Sequence, residues 1–147
     1  SLEVRFVAVG KIKERGLREL LDDYYGRVKR YGRFTEVELA DGDAAEVRAR
    51  FEKAIPERAR VVALEVLGKR MTSDGLARVV ESARRDAVQT LVFLVGGAYG
   101  LPPEVSKAAH IQLSLSDMTL PHRLARLMLA EQVYRAFTIL NNEPYSH

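Results

Sequence analysis

The sequence has no cysteine in its 147 residues, and no apolar run in it approaches the roughly 20 residues that cross a bilayer. The absence of cysteine excludes disulfides, thiolate metal sites and a cysteine nucleophile. The first ten residues mix charges into a strand pattern and show no basic leader followed by an apolar segment. We therefore expect a cytoplasmic protein with no membrane partner, although a processed mature chain would look the same.

Several catalytic and nucleotide-binding motifs are also missing. The sequence has neither the G-x-x-x-x-G-K-[ST] of a phosphate-binding loop nor the G-x-S-x-G of a nucleophile elbow. Its three histidines, His110, His122 and His147, lack the spacing of zinc sites, so no metal is expected. For His110, at the start of a strand, a structural role is favoured. His122 fits a helix cap slightly better than it fits contact with a ligand.

The charge balance is weak, with 23 basic against 20 acidic residues and a formal net charge of +3. It permits a nucleic-acid partner without arguing for one. Basic residues crowd one early stretch, in which Tyr24, Tyr25 and Tyr31 are interleaved. They are Lys11, Lys13, Arg15, Arg18, Arg27, Lys29, Arg30 and Arg33. Two interpretations fit: a solvated helix whose tyrosines are half buried, or a surface that contacts phosphates.

Apolar strands and amphipathic helices alternate along the chain. The periodicity predicts strands at 2–9, 34–39, 61–66, 91–95 and 111–115, and helices at 14–31, 44–55, 73–87 and 121–140, with a short helix after Pro102. Asp43 can cap one helix, and Gly68 with the cluster Thr72-Ser73-Asp74 indicates a loop followed by another helix start. The alternation predicts a single α/β domain over residues 1–147, with a mostly parallel sheet flanked by helices on both faces.

Two loops stand where a parallel sheet binds ligands, at the carboxyl ends of its strands. Residues 96–100 read G-G-x-x-G, which differs from the dinucleotide fingerprint but lets the backbone approach a ligand closely. Residues 113–122 offer backbone groups to the edge of a flat adenine, with Leu115, Met118 and Leu120 closing over its faces. A hydroxyl-rich turn that caps the following helix explains the same residues, so the sequence leaves both interpretations open.

Five stretches of the sequence and its ending carry a resemblance to a known family. They are residues 7–14, 64–69, 93–100, 115–122 and 129–136, with Glu143-Pro144-Tyr145 near the end. In this order over nearly the whole chain, they resemble the SPOUT-class methyltransferases. Within that class, the sequence is similar to the family that methylates N3 of a pseudouridine in bacterial large-subunit (23S) ribosomal RNA.

The resemblance implies S-adenosylmethionine as the cofactor, a C-terminal trefoil knot and a homodimer that acts on ribosomal RNA. We expect the substrate to be the assembled ribosome. The helix at 121–140 is expected to carry much of the dimer contact. The implied cofactor pocket consists of Leu64, Gly96, Gly97, Leu115, Ser116, Asp117, Met118, Thr119 and Leu120.

Methylation at N3 requires the loss of an imide proton, which a nearby base or a donor that stabilises negative charge assists. The candidates are Arg126 on the last helix and the tail residues Tyr145 and His147. The chain ends Pro144-Tyr145-Ser146-His147, whereas members of the family usually end Pro-Tyr-His followed by a basic residue. This departure puts the role of a tail histidine in doubt.

Two other functions remain compatible with the sequence. One is a SPOUT methyltransferase that acts on another RNA, such as transfer RNA, because the same cofactor loops would serve it. The other is a ribosome-associated RNA-binding module without catalytic activity. Binding of S-adenosylmethionine separates the enzymes from the passive module.

Overall fold

The computed structural model describes residues 1–145, in which five strands alternate with five helices. The strands are β1 (Glu3–Val9), β2 (Arg33–Leu39), β3 (Arg60–Arg70), β4 (Thr90–Val95) and β5 (Ile111–Ser114). The helices are α1 (Arg15–Val28), α2 (Ala44–Ala54), α3 (Ser73–Arg85), α4 (Pro103–Ala108) and α5 (His122–Leu140). Within residues 1–145, no helix is both long enough and apolar enough to cross a membrane.

The strands form one sheet in the order β2-β1-β4-β3-β5, and every neighbouring pair is parallel. This confirms the predicted α/β class with a parallel sheet. All six residues of β4 are buried, as expected for a strand covered on both faces. Because the strands are parallel, the segments that follow β1, β3, β4 and β5 all leave from the same edge of the sheet.

Two apolar cores lie on the two faces of the sheet, since successive side chains of a strand point to opposite faces. Phe6 and Phe93 belong to the core that also contains residues of α1, α3 and α5. Their neighbours Val7 and Val92 belong to the core that contains residues of α2 and α4. The helix α5 buries eight residues along its 19, which places it firmly against the sheet.

Local signals confirm two predicted helix starts and contradict one predicted loop. Asp43 forms a capping box with Glu46, and the Thr72 side chain accepts a hydrogen bond from the amide of Gly75. Gly68, however, lies within β3, which continues to Arg70. A Cβ at Gly68 would lie 2.6 Å from the carbonyl oxygen of Gln112, so the close approach of β5 requires glycine at this position.

The second half of β3 departs from regular pairing. Leu64 and Lys69 both lie opposite Leu113, so residues 65–68 form an outward arch. Leu67 on this arch is 98% exposed, and Val66 beside it is also exposed. The arch stands at the edge of the sheet where the loops after β4 and β5 meet.

Candidate functional site

A cleft lies where the carboxyl ends of β3, β4 and β5 converge. Its lining residues are Leu64, Glu65, Val66, Val95, Gly96, Gly97, Gly100, Leu101, Leu115, Ser116, Met118, Leu120, His122 and Ala125. Seven of the nine residues predicted for the cofactor pocket are therefore brought together, although they come from three separate parts of the chain. The carboxyl edge of a parallel sheet is where such proteins bind their ligands.

Asp117 and Thr119, the remaining two predicted pocket residues, do not line the cleft. Both are exposed, and Asp117 makes an ion pair with Arg70 at 2.7 Å. This pair joins the loop after β5 to the end of β3. Asp117 thus helps to hold one wall of the cleft. Thr119 is not among the residues that line the cleft.

The hydroxyl groups of the loop at 114–121 hold the loop itself and do not cap the next helix. The Ser114 hydroxyl donates to the carbonyl oxygen of Ser116, and the Ser116 hydroxyl accepts from the amide of Met118. Pro121 occupies the N-cap position of α5, which has no side-chain cap. The interpretation of this segment as a capping turn is therefore wrong, as is the cap assigned to His122, which is one of the residues that line the cleft.

The glycines after β4 fold their loop tightly onto itself. Gly100 has a φ of +79°, which favours glycine, and its amide donates to the carbonyl of Gly97. A Cβ on Gly96 would collide with the backbone of Gly100. The sequence predicted that these glycines let a ligand approach, and the structure shows that packing within the loop also requires Gly96. The loop consequently forms a thin wall without side chains on one side of the cleft.

The chemistry of the cleft is mainly apolar. Leu64, Leu115, Leu120 and Ala125 supply aliphatic surface, and the glycine loop supplies backbone groups. The cleft has a volume of about 110 Å³, below the range of roughly 300–1,000 Å³ in which drug-sized ligands are usually enclosed. A nucleoside would therefore extend from the cleft or part its loops.

Two residues that line this cleft carry titratable groups, Glu65 and His122. Neither is among the catalytic candidates predicted from the sequence, which offers His122 only as a possible ligand contact. Glu65 follows Leu64, and His122 stands two residues after Leu120, so closeness to the predicted cofactor pocket was the available signal. Within residues 1–145, no group of three or more histidine and acidic side chains could hold a metal ion.

Arg126 lies in a buried ion-pair network. Its guanidinium is only 1% exposed, contacts the carboxylates of Glu36 and Glu38 on β2, and donates to the carbonyl oxygen of Gly10 at 2.9 Å. A group enclosed in this way does not touch RNA, so the predicted direct contact with a base or phosphate is corrected. Arg126 acts instead by holding α5 against β2 and against the segment after β1.

Two more side chains from α1 complete this network. The Arg18 guanidinium lies 2.8 Å from Glu36 and 3.3 Å from Glu38, and the Tyr25 hydroxyl donates to Glu36 at 2.6 Å. Burial and the hydrogen bond to Glu36 raise the pKa of Tyr25 well above its usual value, so the hydroxyl remains a neutral donor. The two carboxylates are thus satisfied by side chains from two helices, α1 and α5.

The sequence as a whole matches the family described as "Predicted SPOUT methyltransferase" over residues 2–147. The chain belongs to this family. Among relatives, it is 47% identical to the ribosomal RNA large subunit methyltransferase H of Sorangium cellulosum (strain So ce56), over 95% of this chain and 96% of that protein. It is 40% identical to the protein of the same name from Geobacter sulfurreducens, over 99% of this chain and 100% of the relative.

A solved structure shares the fold of this SPOUT methyltransferase. The probable methylase family protein from Haemophilus influenzae Rd KW20 aligns with a TM-score of 0.63 at 13% identity. The alignment covers 98% of this chain and 70% of that one. At this low identity the likeness shows the fold alone.

The other predicted catalytic residues belong to the tail of this SPOUT methyltransferase. The Tyr145 hydroxyl donates to Glu131 at 2.8 Å, and its ring packs on Tyr134. Glu131 follows His122 by nine residues on α5, about 13 Å along the helix axis. Within its own chain, Tyr145 is thus held away from the cleft. His147 lies outside the described residues.

The remaining residues that the sequence analysis singled out are His110 and the three tyrosines of the early basic stretch. His110 accepts a hydrogen bond from the amide of Val61 through Nδ1, which confirms its structural role. On α1, Tyr25 is buried, and Tyr24 and the following Tyr31 are half buried. This agrees with the interpretation of the early basic stretch as a largely solvated helix. Lys11 and Lys13 precede that helix and are considered below.

Replacing Arg126 with leucine should lower the free energy of unfolding by about 3 kcal/mol, because Glu36 and Glu38 would lose the fully buried one of their two arginine partners. Urea unfolding followed by circular dichroism measures this. The matched control is Arg15→Ala, which removes an exposed pair with Glu19 and should cause no measurable change. Equal, small losses in the two variants would show that the buried network does not stabilise the fold.

Proposed function

We propose that this SPOUT methyltransferase transfers a methyl group from S-adenosylmethionine to N3 of a pseudouridine in bacterial 23S ribosomal RNA. The observation that carries the proposal is the convergence of seven predicted pocket residues on one cleft at the carboxyl edge of the sheet. The name of the relatives, ribosomal RNA large subunit methyltransferase H, supports the substrate class.

The residues of the cleft fit this cofactor. The aliphatic side chains of Leu64, Leu115 and Leu120 suit the faces of an adenine, and backbone groups of the glycine loop suit its edge. The carboxylate of Glu65 suits hydroxyl or ammonium donors of the rest of the molecule. When bound, the cofactor supplies a methyl group that is already activated by its attachment to a positively charged sulfur.

The protein's main contribution is to position the two reactants, because proximity and alignment account for much of the barrier in such transfers. The N3 atom of the base also has to lose its proton. We assign this proton to the imidazole of His122, which lines the cleft and would accept the proton that leaves N3. The tail residues Tyr145 and His147 stay a prediction for the same step, approaching from a second subunit.

We further propose that the active protein is a cytoplasmic homodimer whose subunits are single domains over 1–147 with a C-terminal trefoil knot. Support for the dimer comes from exposed apolar residues on α1 and α5. Leu20, Leu124 and Met128 are each 40–43% exposed. Leu20 and Met128 also line a groove of about 240 Å³ between these two helices. The assembled ribosome is the proposed substrate because a net charge of +3 provides little general attraction for free RNA.

Calorimetry should detect binding of S-adenosylhomocysteine to the wild type. Ala125→Leu adds a larger side chain to the cleft wall and should weaken this binding by about tenfold or more. Ala108→Leu, at the exposed end of α4, is the control and should bind as the wild type does. Mass spectrometry of 23S rRNA from a strain lacking the protein should show a pseudouridine without its N3 methyl group. Expression of the wild type should restore the methyl group, and expression of Ala125→Leu should not.

Each alternative has its own result in this experiment. A wild type that does not bind the cofactor would contradict the enzyme and favour the passive RNA-binding module. A third result would show that another RNA is the substrate. In that case the wild type binds the cofactor, and the strain lacking the protein has fully methylated 23S rRNA but lacks a methyl group in its transfer RNA.

His122→Ala should slow methyl transfer by about 10²- to 10⁴-fold, because the proton acceptor is lost. Calorimetry should give an unchanged affinity for S-adenosylhomocysteine. Glu65→Gln tests the other titratable group of the cleft: if it slows methyl transfer to this extent while His122→Ala does not, the assignment to His122 is wrong.

Sedimentation velocity should give a particle of twice the 16.5 kDa chain mass for the wild type. Leu124→Glu with Met128→Glu should produce monomers, since charges in a buried interface lack partners. Ala108→Glu adds a charge elsewhere on the surface and should leave the dimer intact. A monomeric wild type at micromolar concentration would contradict the proposed assembly.

A further inference from the structure

The segment between β1 and α1, residues 10–14, displays two lysines in a fixed pattern. Lys11 and Lys13 are exposed, and Ile12 between them is buried, only 8% exposed. Among the contacts of residues 1–145, neither lysine forms an ion pair. In contrast, Arg15 and Arg18 just beyond them are paired with carboxylates.

The backbone that carries these lysines is held on several sides. The amide of Gly10 donates to the carbonyl of Leu39, and the amide of Ile12 donates to the carboxylate of Glu38. Gly10 has a φ of +91°, a conformation that favours glycine. Its carbonyl accepts from the buried guanidinium of Arg126. The two ammonium groups therefore extend from a positioned backbone, which reduces the conformational entropy lost when they bind.

The segment is also joined to the wall of the cleft. Glu14 forms an ion pair with Arg123 at 2.9 Å, and Arg123 follows His122, which lines the cleft. The segment leaves the carboxyl end of β1, which pairs with β4, the strand that leads into the glycine loop. Lys11 and Lys13 thus stand on the same edge of the sheet as the cleft.

The acidic groups that belong to this segment or contact it, Glu14 and Glu38, are occupied by other cations. Glu14 is paired with Arg123, and Glu38 is shared by Arg126 and Arg18. The lysine charges are therefore not cancelled by the carboxylates that hold the segment. The formal net charge of the protein is only +3. A local pair of lysines without ion-pair partners in the described part of the chain therefore biases where a polyanion binds on the surface.

We propose that Lys11 and Lys13 bind phosphates of the RNA backbone and so place the target nucleotide beside the cleft. This inference rests on the proposed function, which requires RNA to reach the cleft, and adds the surface that holds it. Lysine recognises phosphate as a point charge and carries no sequence information, so these contacts set position and affinity.

The test compares two double variants that remove the same charge. Lys11→Ala/Lys13→Ala changes the proposed surface. Lys29→Ala/Lys53→Ala removes two exposed lysines at the ends of α1 and α2, which point to the opposite edge because these helices run antiparallel to the strands. The probe is purified large ribosomal subunits, in filter-binding experiments from about 50 to about 200 mM salt.

The first variant should bind about tenfold or more weakly, and its salt dependence should fall by about one to two units of log K per log salt concentration, as expected for two lost phosphate contacts. The control should bind within about twofold of the wild type. Both variants should keep the wild-type affinity for S-adenosylhomocysteine, which shows that they are folded. Lys11→Arg/Lys13→Arg should restore RNA binding.

Equal weakening in the two double variants, or an unchanged salt dependence in the first, would overturn the proposal. So would a loss of binding to anionic vesicles without any effect on ribosomal subunits. Failure of the proposed function gives a different result: the wild type would bind the subunits with the predicted lysine dependence but transfer no methyl group.

Discussion

The buried guanidinium of Arg126 is the interaction on which the arrangement of this protein depends. It joins α5, whose first turn lines the cleft, to two carboxylates of β2 and to the carbonyl of Gly10. Burying a charge is costly unless it is paired and hydrogen-bonded, and here both conditions are largely met. The same contacts that satisfy this one side chain therefore set the distance between the cleft and the segment bearing Lys11 and Lys13.

The cleft itself results from the parallel sheet. Three strands end at one edge, so short loops that are far apart in the chain become neighbours. Glycine forms one thin wall, aliphatic side chains form the others, and Glu65 and His122 supply the titratable groups. Under the proposed function, the methyl group arrives already activated, and the task of the protein is to position it.

Much of the fold and part of the site could be predicted. Hydrophobic periodicity located the five strands and the helices, since burial against a sheet leaves a mark on nearly every residue of an element. The structure brings Leu64, Gly96 and Leu115 of the implied pocket to one cleft. Asp117 lies outside that cleft and supports the loop through Arg70. That these residues bind the cofactor stays a prediction. The loop predicted at Gly68 is wrong because the sequence does not reveal that the backbone of β5 passes close to this glycine.

Local sequence alone determined the class of the protein: alternating strands and helices, covered on both faces of a sheet, with capped helix starts at Asp43 and Thr72. Only the tertiary structure decided that Arg126 is enclosed and that His122 faces the cleft. The physical reason is that periodicity records whether a side chain is buried, whereas its partners come from distant parts of the chain. Glu36 and Glu38 lie about 90 residues before Arg126, and no spacing rule reaches that far.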